Sequence, residues 1–151
     1  MARPFLADPE LVLKSIEGRP EEINTCIACN QACLDHTFTM QVSSCIVNPR
    51  ACHETILVHT PTTQKKKIAV VGAGPAGLEA ATVAAKRGHE VVLFEEKAEI
   101  GGQFNMAKVI PGKEEYSQTI RYYDSMLKKY GVAVHLNTRA TEADLIAGEY
   151  E

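Results

Sequence analysis

The fold turns on KIAVVGAGPAGLEAATVAAKRGHEVVLFEE, residues 67–96. Ile68–Val71 is a short, wholly apolar run, the pattern of a strand buried on both faces. GAGPAG follows at 72–77, then LEAATVAAKR, rich in alanine and other strong helix formers. Gly88 is placed to end that helix, and EVVLFEE supplies a second apolar strand ending in acid. A strand, a glycine loop, a helix and an acid-tipped strand make a β-α-β unit with a dinucleotide-binding fingerprint. Gly72 permits the tight turn, Gly74 lets backbone approach a pyrophosphate, and Gly77 lets helix and strand pack closely, helped by Ala81 one turn on. The helix N-terminus offers free N–H groups and a favourable dipole to phosphate. Glu95 is the expected acceptor for ribose hydroxyls, with Glu96 the competing candidate. The bland alternative is a turn whose glycines serve packing alone; the number of fingerprint parts that coincide argues against it.

Downstream, the spacing predicts a helix at about 113–130, with Tyr116, Ile120, Tyr123, Leu127 and Tyr130 on one apolar face. Gly131 closes it and VAVHL (132–136) reads as a third strand. TEADLIA (141–147) can start a further helix, with Thr141 as cap and Asp144 completing a capping-box-like pair. A parallel fold would next require a strand, and the expectation is that Glu151 falls short of it. The predicted class is α/β: a partial Rossmann-like domain of three parallel strands with helices, over 67–151.

Upstream, HTPTTQKKK (59–67) is polar and proline-containing, and residues 61–66 read as a linker of solvated lysines. Residues 26–60 carry all five cysteines and no hydrophobic period. In residues 1–25, Asp8 suits an N-cap, Pro9 the first helical position and Gly18 the stop of one short helix. Leu11, Leu13 and Ile16 are too few to bury much, so this piece looks like the end of something else.

A formal net charge of -3 gives no electrostatic reason to expect nucleic acid or a membrane as partner. No apolar run suits a signal peptide or a span of about 20 residues. The default compartment is cytoplasmic, where thiols stay reduced. With five cysteines, an odd number, disulfides are the weakest reading.

Cys26, Cys29 and Cys33 lie close enough in sequence to converge on one centre from a single loop, with a fourth ligand from further along, Cys45 or Cys52. Zinc and iron–sulfur clusters both accept four cysteines. Structural zinc commonly uses two Cys-x-x-Cys knuckles, whereas the three-then-one arrangement suits a cubane cluster better. The run does not match bacterial ferredoxin spacing. His36 and His53 read as packing or surface residues, and His59, His89 and His135 have no partner legible in the sequence.

Together, TCIACNQACLDHTF (25–38), SSCIVNPRACHE (43–54), KIAVVGAGPAGLEAA (67–81) and EIGGQFN (99–105) closely resemble the NADPH-dependent 2,4-dienoyl-CoA reductases. These are flavoproteins of the old yellow enzyme superfamily, related to trimethylamine dehydrogenase. The resemblance runs through essentially the whole chain. It implies that Cys26, Cys29, Cys33 and Cys45 hold a 4Fe-4S cluster, with Cys52 left over. It implies FAD on Gly72, Gly74, Ala76, Gly77, Glu95 and Gln103; the Gly101-Gly102-Gln103 run is itself similar to the second glycine pair of glutathione-reductase-type flavoproteins. MARPFLADP (1–9) resembles the end of a TIM barrel, where Ala2 and Arg3 would touch the phosphate of FMN. Residues 1–25 then become a remnant of that barrel, its last helix. In such an enzyme NADPH reduces FAD, and the cluster passes single electrons to FMN, which reduces the dienoyl-CoA. The chain would hold only the middle of this relay. It would need the barrel and NADPH domains, or a complementary chain, and would meet the dienoyl-CoA only through that barrel. Alone it is expected to be inactive, and the edge of its first strand to lie uncovered. A related amine dehydrogenase, a 2-enoate reductase, and a zinc-stabilised nucleotide-binding module are the alternatives.

Overall fold

The computed structural model describes residues 1–151. They form two compact units: residues 1–58 with 108–122, and residues 59–107 with 123–151.

The second unit is built on three parallel strands, β1 (Lys67–Val71), β2 (Glu90–Phe94) and β3 (Ala133–His135), in the order β1-β2-β3. The register pairs Lys67 with Glu90 and Val71 with Phe94, then Val92 with Ala133 and Phe94 with His135. Helix α4 (Pro75–Lys86) connects β1 to β2. Its side chains Leu78 and Ala81 are fully buried, as is Leu93 of β2. Leu78 and Leu93 are the largest such side chains, each worth about 1.5–3 kcal/mol of burial. Full burial was expected of both apolar runs, but only β2 has it, at Val91, Val92 and Leu93. In β1, Ile68–Val70 are half-buried and Val71 is 58% exposed. The reason is sheet order: β2 is central and β1 is an edge strand with one neighbour.

The predicted long helix is α6 (Tyr116–Lys129). Tyr123 and Leu127 are buried as expected, but Met126 and Thr119 join them while Tyr116, Ile120 and Tyr130 are only half-buried, so the buried stripe is rotated. Helix α7 (Glu142–Ala147) starts on a capping box made by Thr141 and Asp144. The lysine run is less idle than its composition suggests. Lys65 pairs with Glu90 and Lys66 with Glu151, and Lys67 donates to the Gly148 carbonyl at 2.8 Å.

In the first unit, the helix expected between Asp8 and Gly18 is α2 (Leu11–Ile16), which starts after Glu10 rather than at Pro9, and a further short helix α1 (Arg3–Ala7) precedes it. Asp8 is extended, at φ -146°, and separates the two. Its side chain is more than a cap: Oδ1 accepts from Glu10 N, and Oδ2 accepts from Lys14 Nζ and from Asn24 N. A 3-10 turn (Pro20–Glu22), a π-helix (Gln31–Asp35) and helix α3 (His36–Phe38) follow. Helix α5 (Phe104–Ala107) belongs to the second unit. Few apolar side chains are buried in the first unit (Ala7, Ile27, Val47 and Ala51 are the core). Long-range polar bonds do more of the holding: Asn48 Nδ2 to Leu6 O at 2.9 Å, Asn24 Nδ2 to Val47 O at 2.6 Å, and Arg121 to the carbonyls of Pro20 and Ile23.

Candidate functional site

Two places carry chemistry, one in each unit. In the second unit, the turn after β1 is made by Gly72 at φ +99°, a left-handed conformation that glycine adopts without strain. A Cβ on Gly77 would lie 1.9 Å from the Gly72 carbonyl oxygen, so the helix start and the loop touch backbone to backbone. A Cβ on Gly74 would meet nothing within 4 Å. That is open space in front of a helix start which no side chain caps. Pro75 has no N–H to lose at this position, and the first-turn N–H groups, at Ala76 and Gly77, face no capping side chain. The second glycine pair lies against the first: Gly101 N donates to Ala73 O at 2.7 Å, and a Cβ on Gly102 would stand 2.9 Å from Gly74 Cα.

The two candidate acids differ. Glu95 is 6% exposed, and its carboxylate accepts from Ala73 N at 2.7 Å and Lys97 N at 2.9 Å, which ties the end of β2 to the glycine loop. Glu96 is exposed. Both line an open cleft of about 350 Å³ with Gly72, Gly102 and Gln103. Its far wall was not legible in the sequence: Thr138, Arg139 and Ala140, held by Asn137 N to Lys97 O and Thr138 N to Glu95 O. Asn137 at φ +52° turns the chain there, and an asparagine just after a strand was the available signal. Tyr123 donates from its hydroxyl to Glu79 on α4 at 3.0 Å. Burial pushes the Glu79 carboxyl above its usual range, against the opposing effects of that bond and of Lys86.

This cradle fits a nucleotide pyrophosphate. Cβ-free backbone faces open space at Gly74, an uncapped helix start adjoins it, and a buried carboxylate stands at the cleft.

In the first unit, Cys26, Cys29, Cys33 and Cys45 line one cavity together with Arg3, Leu6, Ile27, Asn30, Ala32, Ile46 and Val47. All four thiols are free and half-buried; Cys52 is also free, exposed, and outside this cavity. Two non-glycine residues between the first three cysteines, Ala28 (φ +54°) and Asn30 (φ +61°), take left-handed conformations that wrap the loop tightly. The π-helix that follows carries Cys33, and such helices are frequent at functional sites. Burial raises the Cys45 thiol above its ordinary range. The polar backbone at Val47 and Asn48 opposes that, while the neighbouring Cys26 and Cys29 add to it. No group of three or more His, Cys, Asp and Glu side chains forms a single-ion site. Arg3 donates to Asn30 Oδ1, and Ala2 precedes α1. His36 Nδ1 and His53 Nδ1 stand at the carbonyls of Val42 and Ala51, within their own loops. Soft thiolates in fourfold supply fit zinc or an iron–sulfur cluster. No helix is long and apolar enough to cross a membrane.

Residues 66–150 match the pyridine nucleotide-disulphide oxidoreductase family. A metal reductase of Desulforamulus reducens is 45% identical over 151 residues, 100% of this chain and 23% of that protein. Among solved structures, a 2-naphthoyl-CoA reductase complex superposes with TM-score 0.94 at 44% identity, covering 97% of this chain and 23% of the other. Histamine dehydrogenase from Rhizobium sp. 4-9 superposes with TM-score 0.91 at 32% identity, covering 100% and 23%. The chain thus spans about a quarter of the length of these relatives. A matched segment covering more than half of the chain, over a three-stranded parallel sheet with its glycine cradle, makes this chain a member of the pyridine nucleotide-disulphide oxidoreductase family.

Proposed function

We propose that the chain is the FAD-binding and 4Fe-4S-binding portion of an oxidoreductase that reduces unsaturated acyl-CoA thioesters, with 2,4-dienoyl-CoA as the substrate. The observation that carries the reading is the single cavity lined by Cys26, Cys29, Cys33 and Cys45. In a cubane each thiolate binds a different iron, so the four sulfurs surround a volume rather than close on one point. Three cysteines from one loop and a fourth from further along, all lining one cavity, suit a cluster better than the two Cys-x-x-Cys knuckles common for structural zinc. FAD would lie on Gly72, Gly74, Ala76, Gly77 and Gln103, with Glu95 at its ribose. When bound, these groups supply hydride acceptance at the flavin and one-electron transfer at the cluster. The residues of this chain hold and insulate them. The helix start at Ala76 and Gly77 neutralises phosphate, and Glu95 orients ribose.

Ala2 and Arg3 are assigned to the phosphate of FMN held by a neighbouring barrel domain. That barrel and an NADPH-binding domain, or a complementary chain, complete the enzyme, which works in the cytoplasm. The acyl-CoA assignment is supported by the higher identity to 2-naphthoyl-CoA reductase, 44%, than to histamine dehydrogenase, 32%. The latter likeness supports amine oxidation as the second reading. Equilibrium dialysis against FAD and ADP tests the nucleotide half: one FAD per chain is expected. Turnover of NADPH and dienoyl-CoA by the chain alone would contradict the assignment of substrate reduction to a separate barrel.

A further inference from the structure

In the second unit, the cleft beside the glycine loop has a far end that the dinucleotide fingerprint does not use. A nucleotide runs in a fixed order: phosphate, ribose, base. With pyrophosphate at the helix start and ribose at Glu95, the base falls beyond Glu95, between Lys97 and the wall formed by Thr138, Arg139 and Ala140. That wall is anchored on both sides of Arg139. Before it, Asn137 N donates to Lys97 O at 2.9 Å, Thr138 N to Glu95 O at 2.8 Å, and Thr138 Oγ1 to Leu136 O at 2.9 Å. After it, the Thr141–Asp144 capping box starts α7. A base in such a site needs a flat π surface to lie on. Phe94 is the one aromatic side chain lining the cleft, and its ring is already engaged: it stacks on His135 with centroids 5.4 Å apart and meets Tyr150 edge-on at 6.1 Å. Gln103 has a planar amide but follows Gly102, which lies against Gly74 at the pyrophosphate end. Lys97 offers a point charge on a flexible stem rather than a plane. Arg139 is left. It is exposed, it lines the cleft, and its guanidinium makes no hydrogen bond, ion pair or ring contact within the chain. A guanidinium is planar and delocalised and stacks on aromatic faces.

We propose that Arg139 holds the base of the bound nucleotide by laying its guanidinium plane against the ring. The assignment rests on the nucleotide reading above and extends it to a residue outside the glycine fingerprint. Arg139 acts through its flat face rather than as a counter-charge to phosphate, because the phosphates lie at the opposite end of the cleft, on the helix start after Gly74. Adenine is common to FAD and ADP, so both ligands report on the contact. Loss of one such contact weakens binding roughly tenfold. The side chain supports nothing else in the chain, so its replacement leaves the fold as it is.

The test compares the native chain with Arg139→Ala, which removes the plane, Arg139→Lys, which keeps the charge without it, and Arg139→Tyr, which keeps a plane without the charge. Binding of ADP and of FAD is measured by calorimetric titration, with urea midpoints alongside. The Arg139 side-chain protons of the native chain are followed by NMR as ADP is added, since protons held over a ring face move upfield. Arg139→Ala and Arg139→Lys are expected to weaken both ligands about tenfold, Arg139→Tyr to bind within about twofold of the native chain, and all three to keep its urea midpoint. The Arg139 δ protons should move upfield on saturation with ADP. Native affinity in Arg139→Lys with loss in Arg139→Tyr would make the residue a counter-charge and overturn the proposal. Native affinity in all three variants, or δ protons that do not move, would overturn it as well. If the native chain binds neither ADP nor FAD, the nucleotide reading falls and this proposal with it; if it binds both and the variants match it, this proposal falls alone.

Discussion

Gly77→Ala and Gly74→Ala should act in opposite ways, although they add the same methyl group three residues apart. At Gly77 the new Cβ would stand 1.9 Å from the Gly72 carbonyl oxygen, whereas real Cβ contacts essentially never fall below 3.0 Å. Loop and helix must therefore part by at least about 1.1 Å, at a backbone-to-backbone contact that no side-chain rotation can relieve. Overpacking of this kind costs about 1–3 kcal/mol, a large share of the stability of a unit this size. At Gly74, φ is -74° and nothing lies within 4 Å, so alanine is accommodated without strain. Its methyl would instead occupy the space in front of the helix start. Urea titrations followed by far-UV circular dichroism, paired with calorimetric titration of FAD and ADP, separate the two effects. Gly77→Ala should lower the unfolding midpoint, and Gly74→Ala should leave it unchanged while weakening nucleotide binding at least tenfold. Native stability in Gly77→Ala, or native affinity in Gly74→Ala, would refute the reasoning that one glycine serves packing and the other ligand approach.

Glu95→Ala strips the acceptor from Ala73 N and Lys97 N; leaving those donors unpaired should cost about 1–3 kcal/mol and lower FAD affinity, both readable in the same titrations. The raised Glu79 carboxyl has a definite sign for stability. Its folded pKa lies above its unfolded value, the usual carboxyl value of 4.5, so its contribution is fully present below that pH and is lost as pH rises through the folded pKa. Glu79→Gln should therefore gain in urea midpoint relative to the native chain as pH climbs from below 4.5, and a difference that does not vary with pH would contradict this. Serine at Cys26, Cys29, Cys33 or Cys45 should each abolish stoichiometric iron uptake, whereas Cys52→Ser should leave it intact, as measured by iron content after anaerobic reconstitution.

The β-α-β unit was readable because its signals are local. Apolar runs, a glycine loop and an alanine-rich segment each announce themselves within ten residues, whereas the sequence left Glu96 as a competitor to Glu95. Sheet order is not local, and that is why Val71 was expected inside and lies exposed at an edge. The stripe of α6 was displaced because Met126 and Thr119 are as buried as the tyrosine and leucine that define its apolar period. In the first unit, the expected helix is present but starts two residues late and α1 was missed, because the Asp8 carboxylate serves Glu10, Lys14 and Asn24 rather than capping a helix that begins at Pro9. Bonds such as Asn24 to Val47 and Asn48 to Leu6 join residues 23 and 42 positions apart with no periodic trace. The four cysteines stood out in the sequence, three by spacing and Cys45 by resemblance. Their convergence on one cavity required the fold.

The most direct measurement is the visible absorption spectrum of the anaerobically reconstituted chain, taken with iron, sulfide and zinc content. The account predicts broad brown absorbance that bleaches with dithionite, about four iron and four sulfide per chain, and no zinc. A colourless protein holding one zinc on the same four cysteines would contradict it.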